Sequence, residues 1–203
     1  MSSLADITAV LGDAVEDTFE RGTDGNVDTW VRIKTSAWRD AGRLLREKLG
    51  YDYFCFLSAI DWMPSPYGRG EEDPTVEREP IDTTIRHGYV GGSTQMQVFA
   101  RLVNHRTHVG VTLKVDVPED SMTVDSWVDI FAGANWHERE THEMFGINFA
   151  GHPDLRNMYL PSDFEGHPMR KDFPLLARIV KPWPGIVDVE PLPGGSDDEG
   201  GAE

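Results

Sequence analysis

The sequence predicts an α+β fold: a single mixed domain with a small, largely antiparallel sheet flanked by helices, followed by an extended C-terminal arm. Three observations carry that expectation. Apolar and polar residues alternate from Val27 to Lys34 and from Val109 to Val117, the period of a strand. Between Trp38 and Leu49 the apolar residues recur at helical spacing instead. Late in the chain, Pro153, Pro161, Pro168 and Pro174 each push the preceding residue out of the helical region, so this stretch must run extended.

Taken in order, Leu4 to Leu11 can form a short helix, and the polar, Gly-containing stretch after it, to Asn26, shows no strong period. The first strand starts at Val27, with Val27, Thr29, Val31 and Ile33 on one face and Asp28, Arg32 and Lys34 on the other. Ser36 is suited to cap the next helix, in which Trp38, Ala41, Leu44, Leu45 and Leu49 form the apolar stripe and Gly50 the stop. Tyr53 to Ile60 is almost continuously apolar, which fits a central strand buried on both faces, with Cys55 in the core. Residues 63–93 hold Pro64, Pro66, Pro74 and Pro80 among glycines and charges and read as a surface insertion. Strands over Thr94–Val103 and Val109–Val117 come next, joined by a hairpin at Asn104–His108. Val124–Phe131 and Asn135–Phe145 read as helices.

Composition narrows the function. The chain has 203 residues, 39% hydrophobic, and no apolar run near the roughly 18 residues a membrane-spanning helix needs. Residues 1–10 lack a basic region leading into an apolar core, so no secretory signal is visible and the cytoplasm is the default compartment. A single cysteine, Cys55, excludes an internal disulfide and a four-cysteine iron–sulfur cluster on this chain. The net charge of −16 opposes nucleic-acid binding, which needs cations to neutralise phosphates. After Lys181 the charge is purely acidic, and residues 185–203 are expected to form a solvated, disordered tail.

The chemistry-bearing residues concentrate between Trp136 and Phe173. His137 and His142 flank Glu138, but zinc-protease helices space their two histidines four apart, whereas five residues separate these by about 140° around the helix. A zinc site drawing on His152 or His167 is far less favoured than ordinary hydrogen-bonded histidines. Asp61, after its apolar strand, reads as a turn or cap residue. Glu138, Glu140 and Glu143 are not accompanied by a phosphate loop, a nucleophile elbow or a metal signature. The extended ribbon bears Leu155, Met158, Tyr159, Leu160, Phe164, Met169 and Phe173, which need a surface to pack on. That surface belongs either to a partner or to the chain's own domain, and composition leaves both open.

Three segments carry a resemblance. Glu138-Arg139-Glu140-Thr141-His142-Glu143-Met144-Phe145-Gly146-Ile147, then Gly151-His152-Pro153-Asp154-Leu155-Arg156, then Gly166-His167-Pro168-Met169-Arg170-Lys171-Asp172-Phe173-Pro174 resemble, in order and spacing, the signature of the C-type, thirty-kilodalton subunit family of respiratory complex I, the proton-translocating NADH-quinone oxidoreductase. The strand ending Leu57-Ser58-Ala59-Ile60-Asp61 and the strand pair over 94–117 are similar as well, which extends the likeness over 27–184. The family usually has an aromatic residue and Asp where this chain has His142 and Glu143, and often Arg in place of Asn157. The insertion at 63–93 and the acidic tail lie outside the signature.

The resemblance implies a mixed domain over 1–145, a partner-binding arm over 146–184, and a scaffold role on the peripheral arm of the complex, at the cytoplasmic side of the cell membrane. FMN and iron–sulfur clusters would reside on partner subunits, with no cofactor, catalytic residue or metal on this chain. The neighbours would be the quinone-pocket subunit of the D type and the cluster-bearing subunits. The expected interface with those neighbours comprises Glu138, Arg139, Glu140, His152, Asp154, Arg156, His167, Arg170, Lys171 and Asp172, with Arg139, Arg156 and Arg170 suited to carboxylates through their planar fork of donors. Competing readings are the equivalent subunit of a related membrane-bound hydrogenase or dehydrogenase, a His-rich metal-dependent hydrolase, and a free-standing protein-binding module.

Overall fold

Alternation and amphipathicity translate directly into elements in the computed structural model, which describes residues 4–22, 27–65 and 82–173. Helix α1 (Leu4–Leu11) is followed by strands β1 (Val15–Arg21) and β2 (Asp28–Ile33), helix α2 (Trp38–Leu49), and strands β3 (Tyr53–Asp61), β4 (Met96–Asn104), β5 (Val109–Asp116) and β6 (Thr123–Asp125). Helix α3 (Ala134–Phe145) and the short strand β7 (Asn148–Ala150) complete the set. Residues 66–81 of the insertion, 174–184 of the arm and the acidic tail lie outside the described residues. No helix among the described residues is long and apolar enough to cross a membrane.

The main sheet has five strands in the order β1-β2-β5-β4-β3, antiparallel except where β2 runs parallel to β5, and β6 and β7 form a separate parallel pair. One face of the sheet, carrying Val31, Ile33, Val98, Ala100, Leu102, Leu113 and Val115, packs on Ile7 of α1, on Trp38 and Leu45 of α2, and on Ala134 and Phe145 at the two ends of α3. In α2, Asp40 in the first turn and Arg46 and Lys48 in the last complement the helix dipole. Gly50, at φ 72°, supplies the left-handed stop.

Four expectations are corrected. Val15–Arg21 is a strand although its stretch has no period: it is the sheet edge, with no buried residue, and backbone pairing to β2 around a bulge makes it a strand. Tyr53–Asp61 is the other edge rather than a central strand. Its apolar run is explained by α3 lying against it and by a bulge at Cys55, which turns both Phe54 and Leu57 toward the core. The strand buried on both faces is β5, whose polar residues Thr112, Lys114 and Asp116 are buried too. Val124–Phe131 is not helical: Trp127 is drawn into the core, stacked on Trp38 with ring centroids 4.2 Å apart, and its indole N–H donates to the Trp38 carbonyl. Ser36 sits in a 3-10 turn over Thr35–Ala37, and no side chain caps α2.

The far face of the sheet is closed by the described end of the insertion. Tyr89 stacks on Phe19 at 4.5 Å and leans on Trp30, while Val90 is buried. Beneath this strap lie Arg32, Gln97, Lys114 and Asp116, the polar halves of the alternating strands.

Candidate functional site

Helix α3 holds most of the signature, and its end dictates where the arm must go. An α-helix leaves its last four carbonyls without intrahelical donors. Here all four are satisfied by residues downstream of the helix. Gly146 N–H donates to His142 O, His167 Nδ1 to Glu143 O at 2.9 Å, Met169 N–H to Met144 O, and Arg170 Nε to Phe145 O at 2.6 Å. The arm is therefore the C-cap of α3, and the Arg170 cation sits at the negative end of the helix dipole. Gly146 is needed for this closure. Its φ is 74°, and a Cβ there would come within 2.5 Å of Arg170 Nη2 and 2.6 Å of His167 Nε2.

One turn earlier, Glu143 points under the arm. Its carboxylate accepts three consecutive backbone N–H groups, from Met158 at 3.2 Å, Tyr159 at 3.1 Å and Leu160 at 2.6 Å. Burial pushes this carboxyl upward, but the three amides and the Arg139 charge outweigh it and hold it below the ordinary glutamate value. Arg139 adds two more ties, from Nε to Arg156 O and from Nη2 to Asn157 O. His152 Nε2 lies 3.1 Å from Asn135 O, and its Nδ1 accepts the Asp154 N–H, which assigns the neutral Nε2–H tautomer. Burial lowers the pKa of His152, reinforcing that state. Asp154 also receives the Arg156 N–H and pairs with the Arg156 guanidinium at 3.3 Å.

The far end of the arm is fastened to the sheet. Asp61, buried at the end of β3, accepts the Lys171 N–H on Oδ2 at 2.8 Å, and the Met63 N–H and Gln95 amide on Oδ1. Beside it, Gln95, Glu119, Arg170 and Asp172 line part of a polar cleft of about 250 Å³.

These positions revise the expected contact set. Glu138 is fully buried: it accepts the Ser126 hydroxyl and the Trp127 N–H, both at 2.6 Å, and so holds the turn that seats Trp127. Burial pushes its pKa up to about 7, only partly offset by those two bonds, so its side chain serves the interior and not a surface. Arg139 directs its Nε and Nη2 donors, and Arg170 its Nε donor, to the chain's own carbonyls. Glu140 and His167 are half-buried, whereas Asp154, Arg156, Lys171 and Asp172 are exposed. Of the two surfaces open to the arm, its backbone uses its own domain through Phe173. The residues that close it, Glu143 and Asp61, were absent from the expected contact set; the one available signal was an acidic side chain directly after the apolar run of β3. No group of three or more His, Cys, Asp or Glu among the described residues is arranged to hold a metal ion.

Residues 31–178 match the model of the family described as the respiratory-chain NADH dehydrogenase, 30 Kd subunit. The chain belongs to that family. Among its relatives is the C-type NADH-quinone oxidoreductase subunit of Roseiflexus sp. (strain RS-1), 39% identical over 109 residues, which are 54% of this chain and 63% of that relative. The chain thus spans less than two thirds of that relative's length. The C/D-type NADH-quinone oxidoreductase subunit of Cronobacter sakazakii (strain ATCC BAA-894) is 42% identical over 91 residues, 45% of this chain and 15% of that longer protein. In a solved structure, the membrane-bound sulfane sulfur reductase, an archaeal respiratory membrane complex, one chain superposes with a TM-score of 0.61 at 20% identity, covering 86% of this chain and 85% of its own. At that identity the likeness is one of fold.

Proposed function

We propose that the chain is a non-catalytic scaffold subunit of NADH-quinone oxidoreductase, held on the peripheral arm of the complex at the cytoplasmic face of the cell membrane. It supports electron transfer from NADH, through FMN and iron–sulfur clusters on other subunits, to quinone, coupled to proton translocation. The family membership supports the assignment to the complex. A single cysteine is too few for a four-cysteine cluster, and this reading accordingly assigns the redox groups to the neighbours.

The observation that carries the scaffold role is the division of labour in the arm. Its backbone and its Arg and Glu partners are consumed in fixing it to α3, while Trp136, Tyr159 and Met169 face outward, 66%, 62% and 55% exposed. Large exposed aromatic and Met side chains on a rigid ledge are what a protein interface uses as anchors. Arg156, Lys171 and Asp172, exposed on the same arm, offer the charged groups that an interface rim uses. The quinone-pocket subunit of the D type is the partner this ledge is assigned to.

Affinity isolation of the tagged chain from its native membranes tests the reading, with mass spectrometry and an NADH-to-quinone assay on the eluate. Recovery of flavin, cluster and membrane subunits with activity is expected. Arg139→Ala and Arg170→Ala, which remove three of the arm's ties to α3, should reduce that recovery; intact assembly in both would remove the arm from the interface. A second reading draws on the fold shared with the sulfane sulfur reductase chain. In it the chain is the equivalent subunit of a related membrane complex with another electron donor, and recovery of such a complex would select it.

A further inference from the structure

Asp61 stands where two separate structures meet. On one side is the arm, tied by the Lys171 N–H to Oδ2. On the other is the root of the insertion: Gln95 Nε2 donates to Asp61 Oδ1 at 3.0 Å, and the Gln95 carbonyl accepts the Trp62 N–H. From there the bonds continue under the strap. Trp62 Nε1 donates to Gln97 Oε1 at 2.7 Å, and Gln97 Nε2 donates to both Asp116 Oδ1 and Gly91 O. Asp116 Oδ2 accepts from the Ser93 N–H and hydroxyl and from Arg32.

The strap is held in an unusual way. Three consecutive carbonyls, of Tyr89, Val90 and Gly91, point down and each accepts from a different strand: Lys114 of β5 at 2.9 Å, Arg32 of β2 at 2.7 Å and Gln97 of β4 at 3.0 Å. Holding them there puts Val90 at φ 59° and Gly91 at φ 57°. A β-branched residue in the left-handed region is strained, and such a conformation persists only while its surroundings enforce it. Lys114, buried with its ammonium 5.0 Å from the Trp62 ring centroid, is one of those enforcing groups. The strap therefore has a closed, strained state that depends on the same buried side chains that lead back to Asp61.

We infer that Asp61 is a positioning residue that couples the strap over residues 87–93 to the arm, so that the seating of the proposed partner-binding ledge is regulated from the opposite face of the sheet. This rests on the ledge being the partner surface. The chemistry is that of one carboxylate shared by two sets of donors. Oδ2 holds the Lys171 N–H while Oδ1 is shared by the Gln95 amide and the Met63 N–H, so loss of the Gln95 side leaves Oδ1 on the Met63 N–H alone and loosens the carboxylate's hold on the Lys171 amide.

Hydrogen exchange on the full chain tests it. Two variants loosen the strap at a distance from the arm: Tyr89→Ala removes the ring that stacks on Phe19, and Lys114→Met removes the donor to the Tyr89 carbonyl. Each should speed exchange of the Lys171 amide about tenfold, within the usual range of coupling between sites, with the Leu113 amide in the sheet core unchanged. In a Gln95→Met background, which removes the side-chain bond to Asp61 and keeps the Trp62 N–H to Gln95 carbonyl bond, neither variant should have that effect. The inference is overturned if the Lys171 amide ignores both variants, if the effect survives in Gln95→Met, or if Leu113 accelerates in parallel. Failure of the exchange experiment would leave the respiratory assignment standing. Recovery of no respiratory partner in the membrane isolation would remove the assignment and leave the coupling intact.

Discussion

Replacing Glu143 by Ala removes the single carboxylate on which Met158, Tyr159 and Leu160 converge. A hydrogen bond to a charged acceptor contributes about 1.5–3 kcal/mol, and three sharing one charge contribute less than three times that, so about 3–4 kcal/mol of arm seating should be lost. The loss stays local because the freed amides reach water as the arm lifts, and the sheet keeps its core. Read by hydrogen exchange, the three amides should accelerate by roughly two to three powers of ten, while Val115 in β5 should not change. Glu143→Gln keeps one neutral oxygen and should fall between parent and Ala. The pH dependence has a definite sign. The folded carboxyl lies below its ordinary 4.5, so its contribution is fully present above that value and is lost as the pH drops through the folded one. Acid should release the arm before the sheet. If the three amides exchange in Glu143→Ala no faster than in the parent, the carboxylate does not hold the arm and the ledge has no such anchor.

Glu138 titrates in the opposite sense: its folded pKa is raised from 4.5 to about 7, so its contribution is full below 4.5 and declines as the pH climbs to 7. Glu138→Gln, which still offers an oxygen to the Trp127 N–H, should flatten the pH dependence of urea unfolding across that window by about 3 kcal/mol. Gly42→Ala should destabilise the protein by about 1–3 kcal/mol despite alanine's higher helix propensity, because a Cβ there would meet the Trp127 ring at 2.7 Å; a raised melting temperature would contradict the packing. Gly146→Ala should speed exchange of the Met169 amide, since the added methyl displaces His167 and Arg170 from the helix end; unchanged exchange there would argue against the shared cap.

The elements with a strong period, α2, β2 and β5, are legible in the sequence because each pairs one apolar face with one polar face. Strand β1 is not, since its place depends on backbone pairing with β2 and its side chains carry no burial signal. For β3 the apolar composition marks a covered strand but suggests a central place where the fold has an edge, because cover by a helix and cover by flanking strands select the same side chains. The polar residues of β5 illustrate a further limit. Lys114 and Asp116 alternate like solvent-facing residues, and only the fold of a distant segment over them makes them interior. At the site, the sequence marks the right helix and arm, and the proline spacing foretells the extended path. It does not say whether each charged group faces outward or ties the chain to itself, since arginine's donors can serve a carboxylate or a backbone carbonyl.

The parallel pairing of β2 with β5 bears on how the chain is made. Thr29 meets Val111 and Ile33 meets Val115, so the strand that fills the centre of the sheet is synthesised roughly 80 residues after its neighbour. At about 5–20 residues per second that is a delay of roughly 4–16 seconds. During it Val31, Ile33 and the apolar stripe of α2 lack the central strand that joins β2 to β4, and the large sequence separation of the contacts that finally cover them is the hallmark of a slow folder. The nascent chain is thus most exposed to aggregation before residue 116 is complete, and a chaperone acting on it would find its substrate in that interval.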